Sequence, residues 1–169
     1  MSAWTPLIAA HAATAATSLL LGGYQLARRT RGDTIHRRLG WVWITGMIFV
    51  ATSSFAIREL RHGQLSLLHA LSIVTLLSLG LGIVRIRRGD AAGHRAAMRG
   101  SWIGLLAAFI GAVAVPSRRI PTFTVAQPAG AALAAAVIVA LTAALIVSTH
   151  RFGRYHRPDS RPHGASLRE

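Results

Sequence analysis

Residues 11–36 read HAATAATSLLLGGYQLARRTRGDTIH, and residues 69–94 read HALSIVTLLSLGLGIVRIRRGDAAGH. Each tract opens and closes on a histidine, the two being 25 positions apart, and the second tract lies 58 positions after the first. The same offset lays Gly22 on Gly80, Arg29 on Arg87 and His36-Arg37 on His94-Arg95. Arg31-Gly32-Asp33 meets Arg88-Gly89-Asp90 with a slip of one residue. The first histidine of each tract lies in an apolar run long enough to cross a bilayer. An ionisable side chain is costly there, which makes His11 and His69 candidates for a functional site.

Outward from these tracts the chain divides into five apolar runs, at about 6–27, 39–57, 65–86, 96–116 and 130–149. A spanning helix needs about 20 residues, so each run suffices. Gly32-Asp33 and Gly89-Asp90 break the chain after the first and third runs, Pro116 ends the fourth, and Pro121 and Pro128 mark a loop before the fifth. Trp4, Trp41, Trp43 and Trp102 stand near run ends, where an interfacial aromatic belt is expected. The fold class that follows is an all-α membrane protein. It is a five-helix transmembrane bundle, with repeat one at about 6–57, repeat two at about 65–116 and an extra helix at about 130–149. The bundle fills residues 1–150, and residues 151–169, rich in charge and proline, are expected to form a disordered tail.

Composition agrees. Apolar residues make up 52% of 169, and charged residues 14%. All 19 basic residues are arginine, against 5 acids, for a net charge of +14. No basic patch interleaved with aromatics lies on a soluble segment, so no nucleic-acid partner is expected. The absence of cysteine excludes disulfides and thiolate ligands. No positive charge precedes the first run, which therefore does not read as a cleaved signal. Fifteen arginines fall in the two repeat turns and the tail, and four (Arg58, Arg61, Arg118, Arg119) in the opposite loops. The positive-inside rule then puts the N-terminus outside and the C-terminus in the cytoplasm. Two hairpins of one orientation should be related by a pseudo-two-fold axis along the membrane normal. The fifth run, rich in alanine and valine, is expected to be a scaffold or an oligomer contact.

His11 and His69 each lie about five residues inside runs of the same direction, or ~7 Å deep. At that shared depth near the outer face they would oppose one another across the axis. Two neutral imidazoles so placed suit haem iron, and bundle cores commonly house such sites. With neither cysteine nor acid nearby, a hydrolytic zinc site is not expected. Ala12, Ala15, Ala70, Ser66 and Ser72 are small enough to leave room for a flat ring or to serve close helix packing. The alternative is that both histidines are interhelical hydrogen-bond links. His36 and His94 form the second pair, with Arg37, Arg38, Arg95 and Arg99 placed to meet haem propionates. If Trp41 and Trp102 mark the interface, however, this pair sits ~8–12 Å outside it, where contact with lipid phosphate is the competing role. Asp33 and Asp90 are expected to cap the even-numbered helices, with orientation of a histidine ring as the other option. His62, His156 and His163 are expected to be solvated.

In His11, His36-Arg37-Arg38-Leu39-Gly40, His69, Gly89-Asp90, His94-Arg95, Met98 and the Pro116–Arg118 stretch, the chain resembles a bacterial family of predicted integral membrane proteins, domain of unknown function 2306. The resemblance covers about residues 7–119 and implies a multi-pass protein of the bacterial cytoplasmic membrane. More distantly, the chain is similar to two-haem transmembrane cytochromes b of the ascorbate-reducing type. That resemblance implies haem b near each membrane face, with His11 and His69 as the outer pair and His36 and His94 as the inner pair. The chain departs from it in having a fifth helix and no recognisable ascorbate or ferric-chelate site. Two functions follow as expectations. One is a haem-binding electron carrier with a quinone or a redox protein as partner. The other is a non-redox accessory subunit or small transporter whose histidines are structural or proton-linked. Neither reading decides whether the chain is an enzyme.

Overall fold

The computed structural model describes residues 4–57, 67–116 and 119–155, the side chains of 67, 68 and 152–155 excepted. The expectations for His62, His156 and His163 lie outside the described residues. The described elements are all helical: α1 (Pro6–Ala27), α2 (Thr34–Ala56), α3 (Leu67–Arg87), α4 (Ala91–Ala114), α5 (Arg119–Ala126) and α6 (Pro128–Tyr155). Five of the six, all but α5, are long and apolar enough to span a membrane.

Capping sets the helix starts. Thr5 caps α1 through Ile8 N and is followed by Pro6 at the first helical position, where its missing N–H costs nothing. Asp33 caps α2 by accepting from His36 N at 2.9 Å, and Asp90 caps α4 by accepting from Gly93 N at 2.7 Å. Both even-numbered helices therefore begin five residues before the apolar runs at 39 and 96. Hydropathy locates the lipid-facing part of a helix, whereas the cap locates its start. The turns are a matched pair. Gly32 and Gly89 have φ of 81° and 82°, a left-handed conformation that glycine adopts without penalty. After α3 the Asp90 N–H returns to Arg85 O and the Gly89 N–H to Ile86 O, the two bonds of a Schellman stop.

The segment expected as a proline-marked loop before the fifth run contains α5. Pro121 falls in its first turn and Pro128 opens α6, so both prolines act as helix-start residues. α6 runs on through Tyr155, past the break expected at Arg151; the rest of the tail lies outside the described residues.

The four helices of the two hairpins close a ring. α1 packs on α2, α2 on α3, α3 on α4 and α4 back on α1, which leaves α1 and α3 diagonally opposed, as are α2 and α4. Exchanging the two hairpins leaves this pattern unchanged. α6 lies against α1 and α2, and α5 bridges α4 and α6. The core is Leu21, Leu39, Trp43, Ile44, Met47, Leu79 and Leu105. It contains two pairs at the 58-residue offset, Leu21 with Leu79 and Met47 with Leu105, so corresponding positions of both repeats meet at the centre. Gly46 and Gly104 are another such pair. A Cβ on Gly46 would lie 2.7 Å from Ser18 Oγ, and one on Gly104 would lie 3.3 Å from Leu71 Cδ1. Each lets an even-numbered helix approach its hairpin partner closely. The outside is apolar: Leu77 and Leu133 are 68% and 67% exposed, a surface that lipid covers.

The aromatic belt needs correction. Trp41 and Trp4 are exposed, but Trp43 is buried and donates from Nε1 to Ser18 O at 2.9 Å. Trp102 packs on the core and donates to Leu19 O at 2.9 Å. The two indoles meet over Gly22, where a Cβ would come within 2.6 Å of Trp43 Nε1 and closer still to Trp102 Cδ1. A buried indole needs an acceptor, and two successive α1 carbonyls supply it.

Candidate functional site

The tryptophan correction changes the reading of His94 but not of His36, because Trp41 stays exposed. Trp102 marks the core rather than the interface. His36 lies seven residues before Trp43 and His94 eight before Trp102, or ~10–12 Å along each helix from the core indoles. The inner pair thus has nearly matched depth, and each lies in the first turn of its helix, on diagonally opposed α2 and α4.

His94 is held firmly. Its Nδ1 is 2.9 Å from Gly82 O of α3. A carbonyl only accepts, so Nδ1 carries a proton and donates it. Gly82 has no room for a side chain: a Cβ would meet Met98 and lie 3.2 Å from Ala97 Cβ and 3.8 Å from His94 Nδ1. His36 is held differently. Its backbone carbonyl accepts from Gln25 Nε2 at 2.9 Å, while its buried Nδ1 and the buried Gln25 Oε1 have no protein partner among the described residues.

Around this pair the turn is pinned by charge. Arg28 donates to both Asp33 carboxylate oxygens, and Arg85 stands 4.0 Å from Asp90. The Arg28 fork and the His36 backbone N–H hold the Asp33 carboxyl well below the usual carboxylate range, at about 2. Capping, rather than orientation of a ring, is what the two aspartates do. Arg37, Arg38, Arg95 and Arg99 are all exposed.

At the other end, three consecutive residues of the last turns of α2 reach both neighbours. His11 Nδ1 is 2.7 Å from Ser53 Oγ. Ser53 Oγ also reaches Val50 O at 3.2 Å and has one proton for the two contacts, so the His11 ring donates or accepts there according to its tautomer. Ser54 is bonded to Ser72 of α3 at 2.8 Å. Phe55 lies against the His69 ring, with centroids 5.5 Å apart. His69 is buried and His11 half-buried. They approach one turn of α2 from the diagonally opposed α1 and α3.

One titratable contact escaped the reading of the sequence. His150, near the end of α6, takes its Nε2 to 2.7 Å from Tyr24 Oη of α1, with the rings edge to face. Tyr24 immediately precedes Gln25, so the contact lies at the arginine-rich end beside the inner pair. A lone histidine closing an otherwise apolar run was the available signal.

The family model described as "Predicted membrane protein (DUF2306)" matches residues 8–150. No curated protein and no solved structure matches the chain. The chain belongs to the family that the model describes, and it is an integral membrane protein.

Proposed function

From membership of that family of membrane proteins, we propose that this chain binds haem b through its two histidine pairs, His11 with His69 and His36 with His94. Bound haem would supply one-electron redox chemistry. The observation that carries the reading is the state of the rings. His94 Nδ1 donates to the Gly82 carbonyl, so its neutral ring would leave Nε2 to ligate, and His11 Nδ1 is held at the Ser53 hydroxyl. Ligating histidines are commonly oriented in this way by a hydroxyl or carbonyl. Both pairs sit on diagonally opposed helices. Among the described residues no three His, Cys, Asp or Glu side chains converge. Two-histidine sites suit a metal that already holds four ring nitrogens.

The chain's own part is to fix and shield. Ser53 and Gly82 orient the rings, Phe55 covers His69, and the Leu21, Leu79, Met47 and Leu105 layer lies between the two ends. Arg37, Arg38, Arg95 and Arg99 are the candidates to meet propionates. A quinone in the bilayer or a redox protein would be the electron partner, in a bacterial cytoplasmic membrane with the N-terminus outside. One observation favours a second reading: the His11–Ser53 and His94–Gly82 bonds each join two helices, which is what structural histidines do. Haem content of two double variants decides. His11→Ala/His69→Ala and His36→Ala/His94→Ala should each lose one haem of two. Folded variants that keep the wild-type haem content would overturn the assignment of ligands.

A further inference from the structure

The two repeats treat their inner histidines unequally. His94 Nδ1 reaches a backbone carbonyl, whereas His36 Nδ1 is buried and reaches no protein acceptor among the described residues. The residue at 83, equivalent to Gln25 by the 58-residue offset, is isoleucine. Gln25 is therefore a polar residue inserted in one repeat only, at the histidine that lacks a carbonyl.

The orientation of its amide is fixed. His36 O can only accept, so the Gln25 NH2 group must face it, and turning the amide over would set two oxygens against each other. Gln25 Oε1 is then the other end of the amide, buried and also without a protein partner. An orphaned acceptor and an orphaned ring nitrogen thus occur on two residues already joined by one hydrogen bond. Leaving such groups unmet is costly, so buried polar atoms of this kind normally share an ordered water.

We propose that Gln25 is the positioning residue for His36, acting through one bound water that accepts from His36 Nδ1–H and donates to Gln25 Oε1. The water does for His36 what Gly82 O does for His94. Both inner rings then share the same tautomer. The inference rests on the reading of His36 as a ligand, but the bridge can be tested without it.

The first measurement needs no cofactor. In protein carrying 15N-labelled histidine, the His36 signal is assigned by its loss in His36→Ala. Its Nδ1 should show a protonated, hydrogen-bonded nitrogen, and Gln25→Leu should shift that resonance while the His94 signal stays put. A His36 ring protonated on Nε2 alone, or unchanged in folded Gln25→Leu, would overturn the bridge. The second measurement uses haem-loaded protein. A stronger acceptor on Nδ1–H makes the ring a more basic ligand and stabilises ferric iron. Gln25→Glu should therefore lower the midpoint potential of the inner haem and Gln25→Leu should raise it, with the outer haem unmoved. Shifts of the same sign in both variants would show a merely structural role. Protein that binds no haem would remove the ligand reading and leave the nitrogen resonance to decide the bridge.

Discussion

Gly22 and Gly80 are equivalent in the repeat yet should respond oppositely to one methyl group. At Gly22 the added carbon would stand 2.6 Å from Trp43 Nε1 and closer to Trp102 Cδ1, a separation that real Cβ atoms do not show. Trp43 is only 5% exposed and cannot swing away freely. Overpacking of this kind costs about 1–3 kcal/mol. Displacing the indoles also strains the bonds to Ser18 O and Leu19 O, each worth about 1 kcal/mol. Against this, alanine is favoured over glycine inside a helix by about 1 kcal/mol. Gly22→Ala should therefore lose roughly 1–3 kcal/mol net. At Gly80 nothing lies within 4 Å of the added carbon, so only the helix term remains and Gly80→Ala should be neutral or gain up to about 1 kcal/mol. For a chain of this size the two variants should differ by roughly 2–16 °C in Tm. Thermal unfolding of both in one detergent, followed by circular dichroism, measures this. Equal Tm values would refute the two-indole contact over Gly22.

Other consequences follow from single contacts. Tyr24→Phe and His150→Phe should each cost about 1 kcal/mol, and the double variant little more than either, because both remove one bond between α1 and α6; additive losses in a double-mutant cycle would show no direct coupling. Ser53→Ala should free His11 Nδ1 and alter the outer haem spectrum while leaving the inner one unchanged, and an unaltered spectrum would show that the hydroxyl does not orient the ring. Asp33 has its folded pKa, about 2, below the ordinary value near 4, so its stabilisation is full above that ordinary value and is lost as pH falls through about 2. Asp33→Asn should flatten the acid end of a pH–stability profile between roughly pH 2 and 4, and an unchanged profile would contradict the Arg28 pairing. A reporter fused to the C-terminus should be active only as a cytoplasmic fusion, and activity outside would reverse the topology read from the arginines.

The hairpins were legible because their signals are local. Asp33 and Asp90 announce helix starts, Gly32 and Gly89 announce the turns, and the 58-residue offset pairs Leu21 with Leu79 and Met47 with Leu105 in the core. The placement of His36 and His94 in the first turns of α2 and α4 was legible for the same reason, since repeat position is read along the chain. What escaped is set by the rotation of each helix. Hydropathy places Trp43 and Trp102 near run ends but does not say that both turn inward to α1 carbonyls. Gly22 and Gly80 match in sequence, but only Gly22 has indoles over it. The partner of His150 lies 126 positions away, on a helix outside the repeat, where no spacing rule reaches. Prolines at 121 and 128 read as breaks because a proline opening a helix and a proline ending one look alike without the cap.

The central claim is that the four histidines form two haem sites, and the most direct measurement is the reduced-minus-oxidised absorption spectrum of the purified full chain, expressed with ample haem, together with its haem-to-protein ratio. The account predicts a six-coordinate haem b spectrum with two resolvable components. It also predicts that the His11→Ala/His69→Ala variant loses the outer component and keeps the inner one. A folded protein that stays colourless would contradict the claim and leave the histidines as links between helices.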